Sequence, residues 1–316
     1  MKKICFLIHF FIPLTFFGQA PLSIELADST SRGVIRGTLL LPMGTKSVPV
    51  VLFVPGSGPT DRDGNNALGV TSQCTKMMAD GLAQQNIASL RFDKRGVAAS
   101  AGAAKSEADL RFDDYVTDVK DWIALLRKDK RLGKLFIAGH SEGSLVGMMA
   151  AQEKGADGFI SVAGAGRPID VILNEQVAKN PNNTQTIRDE VAAILTQLRS
   201  GKTVATVPPY LASLFRASVQ PYLISWIKYD PAIEIGKLTC PVLIIQGTTD
   251  LQVTLADARA LKQASPKASY LEIEGMNHIL KDAPADPAAN MATYTKKDLP
   301  LNEKLLHGIT AFVKGI

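Results

Sequence analysis

Short apolar segments alternate with amphipathic segments along most of the chain. The segment Val48–Val54 is apolar and rich in β-branched residues, which is typical of a strand buried on both faces. Residues 113–127 instead carry apolar side chains at helical spacing. Further strands are predicted at 34–41, 87–92, 135–138, 158–162, 241–246 and 269–273, and further helices at 71–85, 142–152 and 302–313. This alternation predicts an α/β fold whose parallel sheet carries helices on both faces, with 34–41 as an edge strand.

The alternation stops between the strands at 158–162 and 241–246. Residues 167–238 contain helical patterns and turn signals but no clear strand. We therefore expect a helical insertion over the carboxyl edge of the sheet, where open α/β sheets bind ligands. The predicted division is a signal peptide at 1–20, a first part of the core at 21–166, the helical insertion at 167–238 and a second part of the core at 239–316.

The first twenty residues have the pattern of a cleaved signal peptide. Lys2 and Lys3 precede a mostly apolar run over residues 4–17, and Gly18 and Ala20 place small residues at a cleavage site. A membrane anchor is the alternative, but the apolar run is short for a membrane span. We expect a bacterial periplasmic or secreted protein that has no stable membrane insertion after cleavage. Removing this segment lowers the formal net charge from +5 to +3.

Several classes of partner and cofactor are not indicated. The weak positive charge lacks a Lys/Arg cluster interleaved with aromatics, so nucleic acid is not an expected partner. No Cys/His cluster suggests zinc, and no glycine loop suggests a phosphate site. Residues 61–72 fail as a calcium loop because Asn66 and Ser72 stand where glycine and glutamate are needed, so we expect a loop held by internal charge pairs. A disulfide between Cys74 and Cys240 is not expected, because they lie at opposite ends of the predicted sheet.

Residues 139–143 read Gly-His-Ser-Glu-Gly, a G-x-S-x-G pattern that follows a predicted strand and precedes a predicted helix. In that context the pattern predicts a sharp turn that exposes Ser141 as a nucleophile. The flanking glycines avoid the collision that side chains would make in such a turn. The alternative is a structural turn in which Ser141 only caps the helix.

A serine nucleophile needs a base and a carboxylate that orients the base. His278 follows the last predicted strand, at the same edge of the sheet as Ser141, whereas the side chain of His140 should point away from the serine and His307 falls in the terminal helix. Asp250 follows the strand at 241–246 and completes the chain order serine, acid, histidine. Asp250 could instead cap the next helix, and Asp257 is a weaker rival for the acid.

Acyl transfer also needs N–H donors for the developing oxyanion. We expect one donor to be the backbone N–H of Glu142, directly after the nucleophile, and the other to be the N–H of Ser57, with Gly58 as the alternative. The Glu142 carboxylate could contact the loop at 55–64 or favour the helix N-terminus by its charge. The charged residues at 91–96 are expected to be structural.

Three segments together resemble the α/β-hydrolase superfamily, and in particular a bacterial esterase branch near the serine aminopeptidase and dienelactone-hydrolase-like groups. They are residues 54–64, 91–96 and 139–143. The resemblance implies a mostly parallel eight-stranded sheet, a helical lid and a triad of Ser141, Asp250 and His278. Two departures are Pro55, where the family's oxyanion loop begins with histidine, and the lack of an expected glycine at 97–100.

The sequence therefore predicts a serine esterase that acts on small carboxylic esters by a Ser-His-Asp acyl-enzyme mechanism without metal or organic cofactor. A serine aminopeptidase, an acyltransferase and a non-catalytic protein that binds apolar ligands remain alternatives. Aromatic residues of the insertion could form a substrate wall or the insertion's own core. They are Tyr210, Phe215, Tyr222, Trp226 and Tyr229.

Overall fold

The computed structural model of the chain describes residues 20–30, 32–42, 47–67, 69–153 and 155–316. The predicted signal peptide at 1–20 thus lies outside the described residues except for Ala20. Within the described ranges, no helix is both long enough and apolar enough to cross a membrane.

An eight-stranded sheet forms the centre of the molecule, beside one two-stranded hairpin. In chain order the strands are β1 Leu22–Thr30, β2 Gly33–Leu41, β3 Val48–Val54, β4 Asn65–Asn66, β5 Val70–Thr71, β6 Ala88–Phe92, β7 Leu132–His140, β8 Gly158–Val162, β9 Val242–Gly247 and β10 Ser269–Ile273. The sheet order is β1-β2-β6-β3-β7-β8-β9-β10, and β4 pairs with β5. From β6 to β10 all neighbours are parallel, whereas β2 is antiparallel to both β1 and β6. The predicted mostly parallel eight-stranded sheet is confirmed.

Helices cover both faces of this sheet. They are α1 Cys74–Gln84, α2 Phe112–Leu126, α3 Glu142–Ala151, α4 Ile169–Lys179, α5 Gln185–Arg199, α6 Ala212–Phe215, α7 Gln220–Ile227, α8 Pro231–Gly236, α9 Leu255–Ala264, α10 Pro287–Met291 and α11 Glu303–Gly315. Side chains of β3 alternate between the two faces, as strand geometry requires. Leu52 packs in a cluster with α2, α3 and α9, and Phe53 packs in a second cluster with α1 and α11.

The edge of the sheet differs from the prediction. The segment at 34–41 does form a strand, but β1 pairs with it along its whole length, from Leu22 opposite Leu41 to Thr30 opposite Gly33. The strand at this edge is therefore β1, and the prediction that 34–41 lies at the edge was wrong. The sequence hid β1 because its side chains are exposed or only half-buried and include Glu25, so no apolar run marks it.

Helices α4 to α8 connect β8 to β9, and their aromatic side chains have different surroundings. Phe215 and Trp226 are buried in the cluster that contains α2 and α3, where the Trp226 ring stacks on Phe112 with centroids 5.7 Å apart. Tyr210 is 58% exposed, and the Tyr229 hydroxyl donates to a carboxylate of α2. These four side chains therefore serve packing or surface contacts, and the fifth aromatic, on α7, belongs to the site described next.

Candidate active site

Ser141 occupies a strained turn between β7 and α3. Its φ of +54° and ψ of −122° lie in a region that non-glycine residues rarely adopt. A Cβ atom on Gly139 would lie 2.2 Å from the carbonyl oxygen of Gly143, and one on Gly143 would lie 2.2 Å from the carbonyl oxygen of Val54. Both glycines are therefore required for the close approach of strand and helix, as the sequence pattern predicts.

The structure brings the three predicted triad residues together at the carboxyl edge of the sheet. The Nε2 atom of His278 lies 3.1 Å from Oγ of Ser141. The Nδ1 atom of His278 lies 2.8 Å from Oδ2 of Asp250. Because a carboxylate only accepts hydrogen bonds, Nδ1 carries the proton and Nε2 presents a lone pair to the serine hydroxyl.

The Asp250 carboxylate is held by donors on every side. Its Oδ1 accepts the N–H groups of Gln252 and Val253 at 2.8 and 2.9 Å, and its Oδ2 also accepts Nε2 of Gln246 at 3.1 Å. Burial opposes its charge, but His278 and these two backbone donors outweigh burial and hold the pKa of Asp250 below its usual value. Asp250 is thus an anion fixed in one orientation beside the imidazole.

The rival residues lie elsewhere. Asp257 forms a capping box with Thr254 at the start of α9, and its Oδ1 accepts Nε of Arg167 at 2.8 Å. His307 is exposed on α11. Asp257 therefore stabilises a helix N-terminus, while Asp250 contacts the histidine.

His140 contacts His278, which is itself the hydrogen-bond partner of the Ser141 hydroxyl. Its Nε2 donates to the carbonyl oxygen of His278 at 2.8 Å, and the two rings lie 4.9 Å apart. Burial and the neighbouring His278 ring lower the pKa of His140 to about 4, so this ring is neutral near neutral pH. The contact joins residues 138 positions apart, which is why the local spacing around Ser141 gave no sign of it.

The two predicted oxyanion donors border the nucleophile. A Cβ atom on Gly56 would lie 3.3 Å from Cβ of Ser141, so the loop after β3 passes directly beside the serine. Among the residues described, the N–H of Ser57 donates to no backbone acceptor. Glu142 is the first residue of α3, and an N–H at that position has no acceptor within its own helix.

The Glu142 side chain belongs to a buried network that the sequence did not reveal. Nζ of Lys94 donates to Oε2 of Glu142 at 2.7 Å and to the carbonyl oxygen of Gly56 at 3.0 Å. The hydroxyl of Tyr222, on α7, donates to Oε1 of the same carboxylate. Glu142 is thus linked to the 55–64 loop through Lys94. The sequence signal for this network was a lysine just after β6 and an acidic residue just after the serine.

Other charges near these loops are structural, as expected for 91–96. The guanidinium and carboxylate partners are Arg91 with Asp63, Arg62 with Asp93, and Arg95 with Asp118. The first two pairs join the 61–65 loop to residues 91 and 93, and the third joins Arg95 to α2. The prediction that charge pairs within the 61–65 loop hold it was therefore wrong.

The searched part of the chain holds no group of three or more His, Cys, Asp or Glu residues suited to a metal ion. Cys74 and Cys240, the two cysteines among the described residues, are free thiols.

Two cavities flank the serine turn. One, of about 160 Å³, is lined by Ser57, Ser141 and His278, and Tyr294 closes part of its wall. The other, of about 530 Å³, lies beyond Glu142 and is lined by polar and apolar side chains. These include Lys94, Leu110, Tyr115, Arg216, Val219 and Tyr222. Of the five aromatic residues predicted as a substrate wall or as the insertion's core, Tyr222 lines this larger cavity.

Comparison with known proteins agrees with this architecture. Residues 67–203 match the serine aminopeptidase S33 family. Esterase EstD from Thermotoga maritima is 26% identical over 264 residues, which are 82% of this chain and 61% of EstD. The chain thus spans about three fifths of the length of this curated relative.

Among solved structures, Est1E from Butyrivibrio proteoclasticus matches with a TM-score of 0.59 and 15% identity, over 92% of this chain and 99% of Est1E. A dienelactone hydrolase from Anabaena variabilis matches with a TM-score of 0.51 and 16% identity, over 88% of this chain and 95% of the hydrolase. The sheet order, the serine turn and these similarities show that the chain has the α/β-hydrolase fold.

Proposed function

We propose that this protein is a serine hydrolase that cleaves carboxylic esters. The observation that carries the proposal is the continuous relay from Ser141 through His278 to Asp250, with both links at hydrogen-bond distance beside a cavity. Similarity to EstD supports the ester as substrate. The reaction needs neither metal nor organic cofactor, because base, nucleophile and oxyanion donors all come from the chain.

The proposed reaction has two acyl transfers. Oγ of Ser141 attacks the ester carbonyl while Nε2 of His278 takes its proton, and the N–H groups of Ser57 and Glu142 stabilise the tetrahedral oxyanion. The imidazolium then protonates the leaving alcohol as the carbon–oxygen bond breaks. Water, deprotonated by His278, attacks the acyl-enzyme, and return of the proton to Ser141 releases the acid.

The substrate is proposed to be a small ester, with its two parts lying on either side of Ser141. The smaller cavity suits a short group, whereas the larger one accommodates a group the size of an aromatic ring or longer. Est1E has been solved with ferulic acid bound, which supports including a hydroxycinnamate ester among the test substrates.

A peptidase is the nearest alternative, and Glu142 does not favour it. Binding of a free amino terminus requires an available carboxylate, but both oxygens of Glu142 already accept hydrogen bonds from Lys94 and Tyr222. An acyltransferase or a protein that only binds an apolar ligand would share the fold and would differ in the products of the assay.

Two further parts of the proposal rest on sequence patterns. We propose that residues 1–20 are a signal peptide removed on export to the periplasm or the medium, which their positive start and apolar run support. We also propose that the insertion at 167–238 acts as a lid, which is supported by the position of Tyr222 against Glu142.

The test is hydrolysis of p-nitrophenyl acetate, p-nitrophenyl butyrate and methyl ferulate by the mature protein. Ser141→Ala is expected to abolish turnover. Asp250→Asn is expected to lower kcat by roughly 10³–10⁴-fold, because the imidazole loses its orienting anion. The matched control Asp257→Asn removes a helix cap and an ion pair, so it should lower stability by about 1–2 kcal/mol and leave kcat within about twofold.

Equal rates for the wild type and Ser141→Ala would contradict the proposal. Equal losses of kcat in Asp250→Asn and Asp257→Asn would show that Asp250 does not orient the catalytic histidine. Hydrolysis of aminoacyl amides faster than any ester would favour the peptidase, and transfer to an added alcohol without release of acid would favour the acyltransferase.

A further inference from the structure

We infer that Lys94 is a positioning residue for the oxyanion hole: it fixes the peptide that carries the Ser57 N–H, and Glu142 and Tyr222 hold Lys94 in place. The inference rests on the proposed function and deepens it by naming what sets the geometry of the second donor. Lys94 is not a catalytic residue in this account, because it acts through the backbone.

The carbonyl of Gly56 and the N–H of Ser57 belong to the same planar group, and in a trans peptide they point in opposite directions. The described chain has no cis peptide bond. Because Nζ of Lys94 binds the carbonyl oxygen at 3.0 Å, it defines one direction of this group, and the N–H must point the other way.

We infer that this other side faces the nucleophile. Gly56 approaches the Ser141 side chain closely, and Ser57 lines the same cavity as Ser141 and His278. Rotation of the peptide about its flanking bonds would turn the N–H away from the cavity and the carbonyl toward it. A carbonyl there would repel the developing oxyanion, so the bond from Lys94 opposes this rotation.

The lysine itself is held from three directions. Only 5% of its side chain is exposed, and its ammonium contacts the Glu142 carboxylate at 2.7 Å. The ring of Tyr115 lies 4.4 Å from Nζ, as in a cation–π contact. Burial lowers the pKa of Lys94, but the Glu142 charge outweighs burial, so the ammonium stays charged and keeps donating.

The same network joins the two predicted donors. Glu142 supplies one N–H from its backbone and holds Lys94 with its side chain, so both halves of the oxyanion hole depend on one residue. Tyr222 brings α7 into contact with this residue, because its hydroxyl donates to the second carboxylate oxygen. Burial and the Glu142 charge raise the pKa of Tyr222 well above its usual value, so the hydroxyl remains a donor.

The experiment compares Lys94→Met with the wild type in ester hydrolysis. Methionine has a similar length but cannot donate to Gly56. We expect kcat to fall by about 10²-fold, the loss typical of one oxyanion donor, with KM within about threefold. The inhibition constant of phenylboronic acid, whose adduct with serine is tetrahedral, should rise in proportion to the fall in kcat/KM, which a purely structural role would not produce.

A double variant tests whether an unpaired buried charge, and not the lost hydrogen bond to Gly56, lowers the activity of Lys94→Met. In Lys94→Met the buried Glu142 loses its counterion, which alone could disturb folding. In Lys94→Met with Glu142→Gln both charges are gone, and the amide oxygen that replaces the carboxylate can still accept from Tyr222. The double variant should fold, by circular dichroism and urea titration, and keep the roughly 10²-fold loss in kcat. Return of kcat to the wild-type value in this variant would overturn the inference.

Arg62→Met is the matched control, because Arg62 is a cation on the neighbouring 61–65 loop and its guanidinium pairs with Asp93 rather than with Gly56 or Glu142. It should lower the urea midpoint with kcat within about twofold. A loss of kcat as large as that of Lys94→Met would overturn the inference. If the wild type hydrolyses no ester, the proposed function fails; if it does and Lys94→Met matches it, only this inference fails.

Discussion

Ser141 and the groups around it combine backbone strain with extensive hydrogen bonding. A positive φ on a non-glycine residue costs of order 1–3 kcal/mol, and the surrounding strand, helix and loop hold it there. The hydroxyl reaches His278, whose ring is fixed by Asp250 on one side. On the other side, His140 holds the backbone carbonyl of His278. The site is therefore preorganised, with the charged groups already paired.

His140 makes the stability of this protein depend on pH. Its pKa is about 4 in the fold against an ordinary value of 6.5, so between these values the unfolded chain binds a proton that the folded chain excludes. The stabilisation is complete above pH 6.5 and is lost as the pH falls toward 4. At pH 5 we expect this one group to cost about 2 kcal/mol relative to pH 7.5.

The measurement is the free energy of unfolding in urea at the two pH values for the wild type and His140→Gln. The variant lacks the titrating ring, and its side-chain amide can replace Nε2 as the donor to the His278 carbonyl. Its loss of stability on acidification should be smaller by about 2 kcal/mol. An identical pH dependence in both proteins would show that His140 is not the buried neutral group described here.

The sequence predicted the roles of residues whose neighbours are close in the chain or are fixed by the order of the strands. Ser141 follows from its glycines, and Asp250 and His278 follow from the strand ends that precede them. Lys94, Tyr222 and the orientation of His140 depend on side chains that meet from distant segments. Nothing in the local pattern of charge or hydrophobicity encodes such meetings.

At the scale of elements, the contact between β3 and α3 places the nucleophile. Gly143 lets the first turn of α3 pass over the end of β3, because its absent Cβ would lie 2.2 Å from the Val54 carbonyl oxygen and 2.5 Å from that of Pro55. Both neighbours are backbone atoms, which cannot move aside as a flexible side chain can.

Gly143→Ala is therefore expected to lower the free energy of unfolding by about 3 kcal/mol and to abolish activity by displacing Ser141. Gly102→Ala is the matched control, since no atom lies within 4 Å of the Cβ that it would add. Its free energy of unfolding in urea should stay within about 0.5 kcal/mol of the wild type. Comparable losses in the two variants would argue against the close approach as the cause.

The strands and helices of the core were predictable because burial on both faces produces apolar runs. β3 and β8 begin and end where the pattern indicates. β1 was missed because an edge strand with partly exposed faces needs no such run, and its charged Glu25 can pair with Arg62 at the surface. Which segment pairs with β2 at this edge is decided by tertiary structure, so a local sequence pattern does not reveal it.

At the scale of the whole molecule, the helices between β8 and β9 share a hydrophobic cluster with the sheet. Phe112 on α2 is fully buried and contacts Tyr222, Trp226 and Tyr229 with ring centroids 5.6 to 6.3 Å apart. A predicted lid that packs in this way has no separate core. The insertion and the sheet should therefore unfold together.

The two tryptophans of the chain report on these two parts separately. Trp122 lies on α2 beside the sheet, and Trp226 lies on α7 of the insertion. We expect Trp226→Phe and Trp122→Phe each to show a fluorescence transition in urea that coincides with its own circular dichroism transition. A Trp226 transition that precedes the loss of helicity would instead show an insertion that opens independently.

Covalent labelling tests whether Ser141 is an activated nucleophile. The mature protein would be treated with a fluorophosphonate and examined by intact mass and peptide mapping. We predict one adduct per chain, on Ser141, with none in Ser141→Ala and strongly slowed labelling in a His278→Ala variant, because the hydroxyl needs its base. No adduct on a folded wild type, or an adduct on another residue, would show that Ser141 is not the activated nucleophile.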